Sequence, residues 1–210
     1  MACDHKFRSH LDLSLLGFEP ETLIVGTFNP DLPAGNEAGW FYGRTTDSYF
    51  WDVLPRLYGA HSLGNATPAE WKQFCRDHRI ALTDLIACID DADTGKPGHC
   101  KILGGFSDDA IIHNFEDFQY VPVLKLLRDH TTIKNEYLTR GATEAFWRYL
   151  WNPVAHYCNH NGLHERILLS PTDAAAYHHE AYNRQHPDAQ IHQPADYILW
   201  RWQQQWHSLP

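Results

Sequence analysis

The sequence has no C-x-x-C pair. Its five cysteines, Cys3, Cys75, Cys88, Cys100 and Cys158, are odd in number and widely spaced, which argues against a disulfide framework and an iron–sulfur cluster. No apolar run approaches the ~20 residues that a membrane helix needs. The first residues lack a basic stretch followed by an apolar one, so no secretory signal is expected and the cytoplasm is the default compartment. Positive charge is scarce: 17 Lys and Arg stand against 26 Asp and Glu, a formal net charge of −9 with His neutral. Such a surface opposes attachment to polyanions except through a local positive rim. A Gly-x-Ser-x-Gly elbow and a Gly-rich phosphate loop are both missing, which lowers the odds of a serine hydrolase or a nucleotide-triphosphate enzyme. There is no internal repeat or low-complexity tract.

What is present is a chain of 210 residues, 43% hydrophobic and 20% charged, a balance that supports one folded domain over residues 1–210 and a real core. The run at 22–26, Thr-Leu-Ile-Val-Gly, reads as a buried parallel strand. Residues 27–47 carry Pro30, Pro33, Gly35, Gly39 and Gly43 and read as a long irregular segment, a kind that is usually functional inside compact domains. Residues 48–58 read as a helix with Phe50, Trp51, Leu54 and Leu57 on one face, although Pro55 lies within it. Thr67, Pro68 and Glu70 form a capping box opening a helix to about residue 78. Further strands are expected at 80–86, 132–139 and 166–170, and helices at 120–129, 143–160 (kinked at Pro153) and 194–207, with an exposed polar loop over 90–105. Strands alternating with helices predict a three-layer α-β-α sandwich around a short, mostly parallel four-stranded sheet. Ligands bind such sheets beyond the carboxyl ends of the strands, where residues 26–30, 139–141 and 170–172 should meet.

Three strings stand out. In Val25-Gly-Thr-Phe-Asn-Pro30, Gly26 permits close backbone approach to a ligand, and Asn29 or the nearby Asp31 can hold a water. In Trp40-Phe-Tyr-Gly-Arg-Thr-Thr-Asp-Ser-Tyr-Phe-Trp51, Phe50 and Trp51 read as core anchors, while Phe41 and Tyr42 offer flat faces for a planar ligand. In Ile167-Leu-Leu-Ser-Pro-Thr-Asp173, a strand runs into Ser-Pro, and Thr172 or Asp173 is placed to cap the next helix. His156, Cys158, His160 and His164 lack the spacing of a zinc finger or metal-dependent hydrolase, and no metal is expected.

Taken in order, these strings resemble the uracil-DNA glycosylase superfamily, closest to its mismatch-specific uracil and deoxyinosine branches. Residues 80–86, with Asp84, and the run Phe106-Ser-Asp-Asp-Ala110 look like the deoxyinosine branch too, so the likeness spans most of residues 22–177. It implies a monofunctional enzyme of DNA repair that needs no cofactor, acts as a monomer, and hydrolyses the N-glycosidic bond of a deaminated or otherwise modified base flipped from DNA. It further implies that Asn29 positions the attacking water, with Asp47 as the alternative, and that Phe41 stacks on the base. Thr139 would bond the base edge. Ser170 and Thr172 would contact the base or a flanking phosphate. Gly26, Thr27, Phe28, Tyr42 and Ser48 would complete the base pocket, Arg44 and Arg140 would take DNA phosphates, and residues 174–177 would lie where the superfamily inserts into the duplex.

The pattern departs from the superfamily at three points. One extra residue separates Gly26 from Asn29, Asp47-Ser48 stands where the deoxyinosine branch tends to place Asn, and Ser170 replaces a His found in many members. Two other readings therefore stay open: a base-sensing or nucleic-acid-binding protein without turnover, and a hydrolase of small nucleosides.

Overall fold

The computed structural model describes residues 2–31 and 36–207; positions 32–35 of the expected irregular segment lie outside the described residues. Within them the chain forms β1 (Cys3–Asp4), β2 (Thr22–Gly26), α1 (Phe50–Leu57), α2 (Pro68–Asp77), β3 (Ile80–Asp84), β4 (Ile86–Ile89), α3 (Pro97–Gly104) and α4 (Asp108–Asn114). It continues through β5 (Phe118–Tyr120), α5 (Val123–Asp129), β6 (Asn135–Leu138), α6 (Ala145–His160), β7 (His164–Ile167), α7 (Ala175–Gln185) and α8 (Pro194–Gln203).

Four strands make the central sheet in the order β3-β2-β6-β7, every pairing parallel. β2 and β3 are buried along their whole lengths, as parallel strands covered by helices on both faces must be. The expected α-β-α sandwich therefore forms. From β2 the chain crosses to β3 on one side and later to β6 on the other, so the strand order reverses at β2, the position where open sheets of this kind form a crevice.

The helices follow from local chemistry. Thr67 and Glu70 form the predicted capping box of α2. In α1, Pro55 has no N–H to give the carbonyl of Trp51, and the N–H of Leu63 takes that carbonyl instead at 2.8 Å, so the helix survives its proline. Trp51, Trp147, Trp151 and Trp202 are fully buried in the core between sheet and helices.

Several elements differ from the sequence reading. The run at 80–86 is two strands: parallel pairing with β2 stops at Asp84, and β4 joins a separate antiparallel sheet, β1-β4-β5, that periodicity does not reveal. The segment 90–105 contains α3, started by Pro97 and burying only Leu103, so it has almost no apolar face to read. Residues 118–120 are strand, and the helix there starts at Val123. The fourth strand ends at Ile167, three residues before Ser170. Neither Thr172 nor Asp173 caps α7; Ala174 occupies that position with no side-chain bond.

Candidate active site

The carboxyl ends of β2, β3 and β6 open into one cavity of about 510 Å³. Backbone bonds draw its walls together. The Leu85 N–H reaches Gly26 O (3.1 Å) and the Thr139 N–H reaches Val25 O (3.0 Å). The segment around residues 47–49 is tied to that around 171–173 by Tyr49 N–H to Pro171 O (2.7 Å) and Asp173 N–H to Asp47 O (3.3 Å). Gly26, Thr27, Phe28, Asn29, Tyr42, Arg44, Asp47, Ser48, Thr139, Arg140, Ser170 and Thr172 all line this space.

Phe41 does not. It is 1% exposed, packed against His5, Phe7 and Trp40, and its carbonyl accepts from Trp51 Nε1 at 2.9 Å. The reading of Phe41 as the stacking face is corrected by this burial: the loop turns so that the ring completes the core. Its neighbour Tyr42 reaches the cavity instead, with φ +56 and its ring stacked on Phe50 at 3.8 Å. Phe106, at φ +50, is a second cavity-lining residue in a left-handed conformation, a strain that tends to gather at working sites. Asp31 is exposed and is not part of the wall.

Hydrogen-bond direction decides what Asn29 can offer. Asn36 Oδ1 accepts from the Ala38 N–H at 3.1 Å, so Asn36 Nδ2 is the donor to Pro30 O (2.7 Å) and to Asn29 Oδ1. Asn29 is left with its N–H2 group for the cavity. Asp47 has one oxygen paired with Arg44 at 3.1 Å, and its other, Oδ1, is buried without a protein partner.

Both cavity cations are engaged by acids. Arg44 pairs with Asp47 and lies 3.4 Å above the Phe106 ring. Arg140 lies over Trp147 and faces Asp108 (3.0 Å), Glu144 (3.4 Å) and Asp109 (3.7 Å). The expected phosphate contacts would have to compete with these carboxylates.

Asp84 and Asp108 are among the acidic wall residues not singled out as site residues from the sequence. Asp84 ends β3 beside Gly26, close enough that a Cβ on Gly26 would lie 2.2 Å from Asp84 Oδ1. Its Oδ2 bonds His5 Nε2 at 2.6 Å. Asp108, in the first turn of α4, accepts from Thr27 Oγ1 (2.7 Å) and from Arg140. Burial pushes its pKa up to about 6, against the opposing pull of Arg140. A carboxylate at the end of an apolar strand and a Ser-Asp-Asp helix start were the available signals for these two; nothing in the sequence tied His5 to them. Of the group His156, Cys158, His160 and His164, Cys158 turns inward to Glu136 and His164 bonds Gln205 O.

No family model matches the chain, and neither does any curated protein sequence. Among solved structures the chain is similar to the solution NMR structure of a candidate uracil DNA glycosylase from Methanosarcina acetivorans. The identity is 14% and the TM-score 0.50, over 90% of this chain and 92% of that one. The likeness is one of fold: a four-stranded parallel sheet between helices, as in uracil-DNA glycosylase.

Proposed function

We propose that this protein is a DNA glycosylase that removes a deaminated or otherwise modified base. The observation that carries the reading is the acid-rich cavity at the strand-order reversal, assembled from all three strings that resemble the superfamily. Its volume suits a nucleoside-sized ligand. In this reading a flipped nucleotide enters base first. The Asn29 N–H2 group bonds the oxygen of the attacking water, and the Asp47 carboxylate, its side chain 42% exposed, takes the water's proton. The water oxygen bonds C1′, the C1′–N bond breaks with its electrons going to the base, and Asp108 in its acid form protonates the departing base. Ser170 and Thr172, whose hydroxyls lie 3.0 Å apart, line the wall beside the sugar and flanking phosphate. Tyr177, exposed in the first turn of α7, is the candidate wedge into the duplex.

The test is cleavage of oligonucleotides carrying one uracil or hypoxanthine, as duplex and as single strand. Abasic product is expected from at least one. Asp47→Asn should lower kcat by about 10²–10⁴, the usual contribution of a positioned acid or base, whereas Asn29→Ala should cost less. No abasic product from any substrate would sink the reading.

One observation favours a second reading. Arg44 and Arg140 are already paired with carboxylates, and the chain carries a net charge of −9, which suits a small nucleoside better than a polyanion. Cleavage of free deoxynucleosides but not of DNA would select it.

A further inference from the structure

The deepest polar groups of the cavity have their protons already committed. His5 Nδ1 accepts from the Phe7 N–H at 2.9 Å, so the ring proton sits on Nε2 and is donated to Asp84 Oδ2. On the other side, Val25 O can only accept, so Thr139 Oγ1 donates to it (3.2 Å). A hydroxyl has one proton, and Tyr42 must therefore donate its own to Thr139 (2.8 Å). Asp84 Oδ1 and the lone pairs of Tyr42 Oη remain. They lie 2.2 and 2.8 Å from where a Gly26 Cβ would stand, so the bare Cα of Gly26 leaves both room on the floor.

Depth assigns these groups to the base. A flipped nucleotide stays joined to its strand by the sugar, and the base edge farthest from the sugar goes deepest. The Asp84 side chain is 7% exposed, against 42% for Asp47 nearer the mouth.

From this all-acceptor floor we infer that Asp84 and Tyr42 select the 6-oxopurine edge over the pyrimidine imide edge. This deepens the glycosylase reading and rests on it. A 6-oxopurine offers N1–H with the C2 substituent beside it, a hydrogen or an amino group, so neither floor acceptor meets an oxygen on that side. In uracil the N3–H lies between two carbonyls, and one of them must face Asp84 or Tyr42 acceptor to acceptor, which leaves buried polar groups unpaired. His5 is a positioning residue that holds Asp84 through Nε2, and its ring is locked between Phe7, Phe28 and Phe41.

The test measures binding of single-stranded oligonucleotides carrying one 2′-fluoroarabino inosine or uridine, whose sugars resist hydrolysis. The wild type should bind the inosine probe about tenfold or more tighter. Asp84→Asn should reverse the order, because its amide oxygen accepts from His5 and its N–H2 then faces the cavity. Tyr42→Phe keeps the stack on Phe50, removes one acceptor and should narrow the preference severalfold. His5→Phe should narrow it too, with His5→Gln restoring it. Equal or tighter uridine binding by the wild type overturns the inference, as does an unchanged preference in folded Asp84→Asn. Should that variant not fold, an unchanged preference in Tyr42→Phe overturns it. Failure to cleave any ordinary substrate, with the probe preference intact, counts against the glycosylase reading alone.

Discussion

Two carboxyls with raised pKa values set how this protein should respond to pH. Asp108 faces the cavity with its pKa raised to about 6 by burial. If its acid form protonates the leaving base, kcat should fall as pH rises through about 6, and Asp108→Asn should lower kcat and abolish that limb; a pH–rate profile of both proteins checks this. Glu136 lies in the core rather than the cavity. It is fully buried, accepts from Cys158 Sγ at 2.7 Å, and its Oε1 has no protein partner. Burial pushes its pKa from 4.5 up to about 8. The folded state therefore keeps a proton that the unfolded state has lost, and stability falls as pH rises from about 4.5 to about 8. Denaturant unfolding should show a loss of several kcal/mol across that window, since each unit by which the folded pKa exceeds the unfolded one is worth about 1.4 kcal/mol. Glu136→Gln should flatten the slope above pH 6, leaving below it the part due to Asp108.

Among the elements, α2 gives the sharpest stability test. Glu70 Oε2 accepts from the N–H and hydroxyl of Thr67, while Thr67 Oγ1 accepts from the Glu70 N–H. Thr67→Ala should cost about 1 kcal/mol, read as a fall in Tm of ~2–4 °C for a chain of this size, with no change in catalysis. This helix was legible because a capping box is local: three neighbouring residues specify it. β2 was legible because a strand buried on both faces must be an unbroken apolar run. α3 and the antiparallel strands were not, since α3 buries a single leucine and β1 is two residues long. The break at Leu85 was also hidden, because the apolar residues of 80–82 resume at 85–89 after only Thr83 and Asp84; what ends β3 is loss of the partner strand β2 after Gly26.

At the scale of the whole molecule, charge governs encounter with DNA. A net −9 surface and two cavity arginines held by acids leave few phosphate contacts to release counterions. The log–log dependence of Kd on salt should have a slope of magnitude about 2 or less, against ~0.9 per phosphate for a protein that grips many. A slope near −6 would place an unrecognised basic surface on the molecule.

Much of the cavity wall is legible in the sequence alone. Gly26, Asn29, Tyr42, Asp47, Thr139 and Ser170 sit in strings whose Gly, Pro and polar punctuation follows apolar strands, and that pattern is a property of neighbouring residues. The direction of the hydroxyl and imidazole protons at the floor, the inward turn of Phe41, and the pairing of His5 with Asp84 across 79 positions were decided only by the tertiary structure. Each depends on which distant group stands within about 3 Å, and hydrogen bonds of that reach leave no trace in the spacing of residues along the chain.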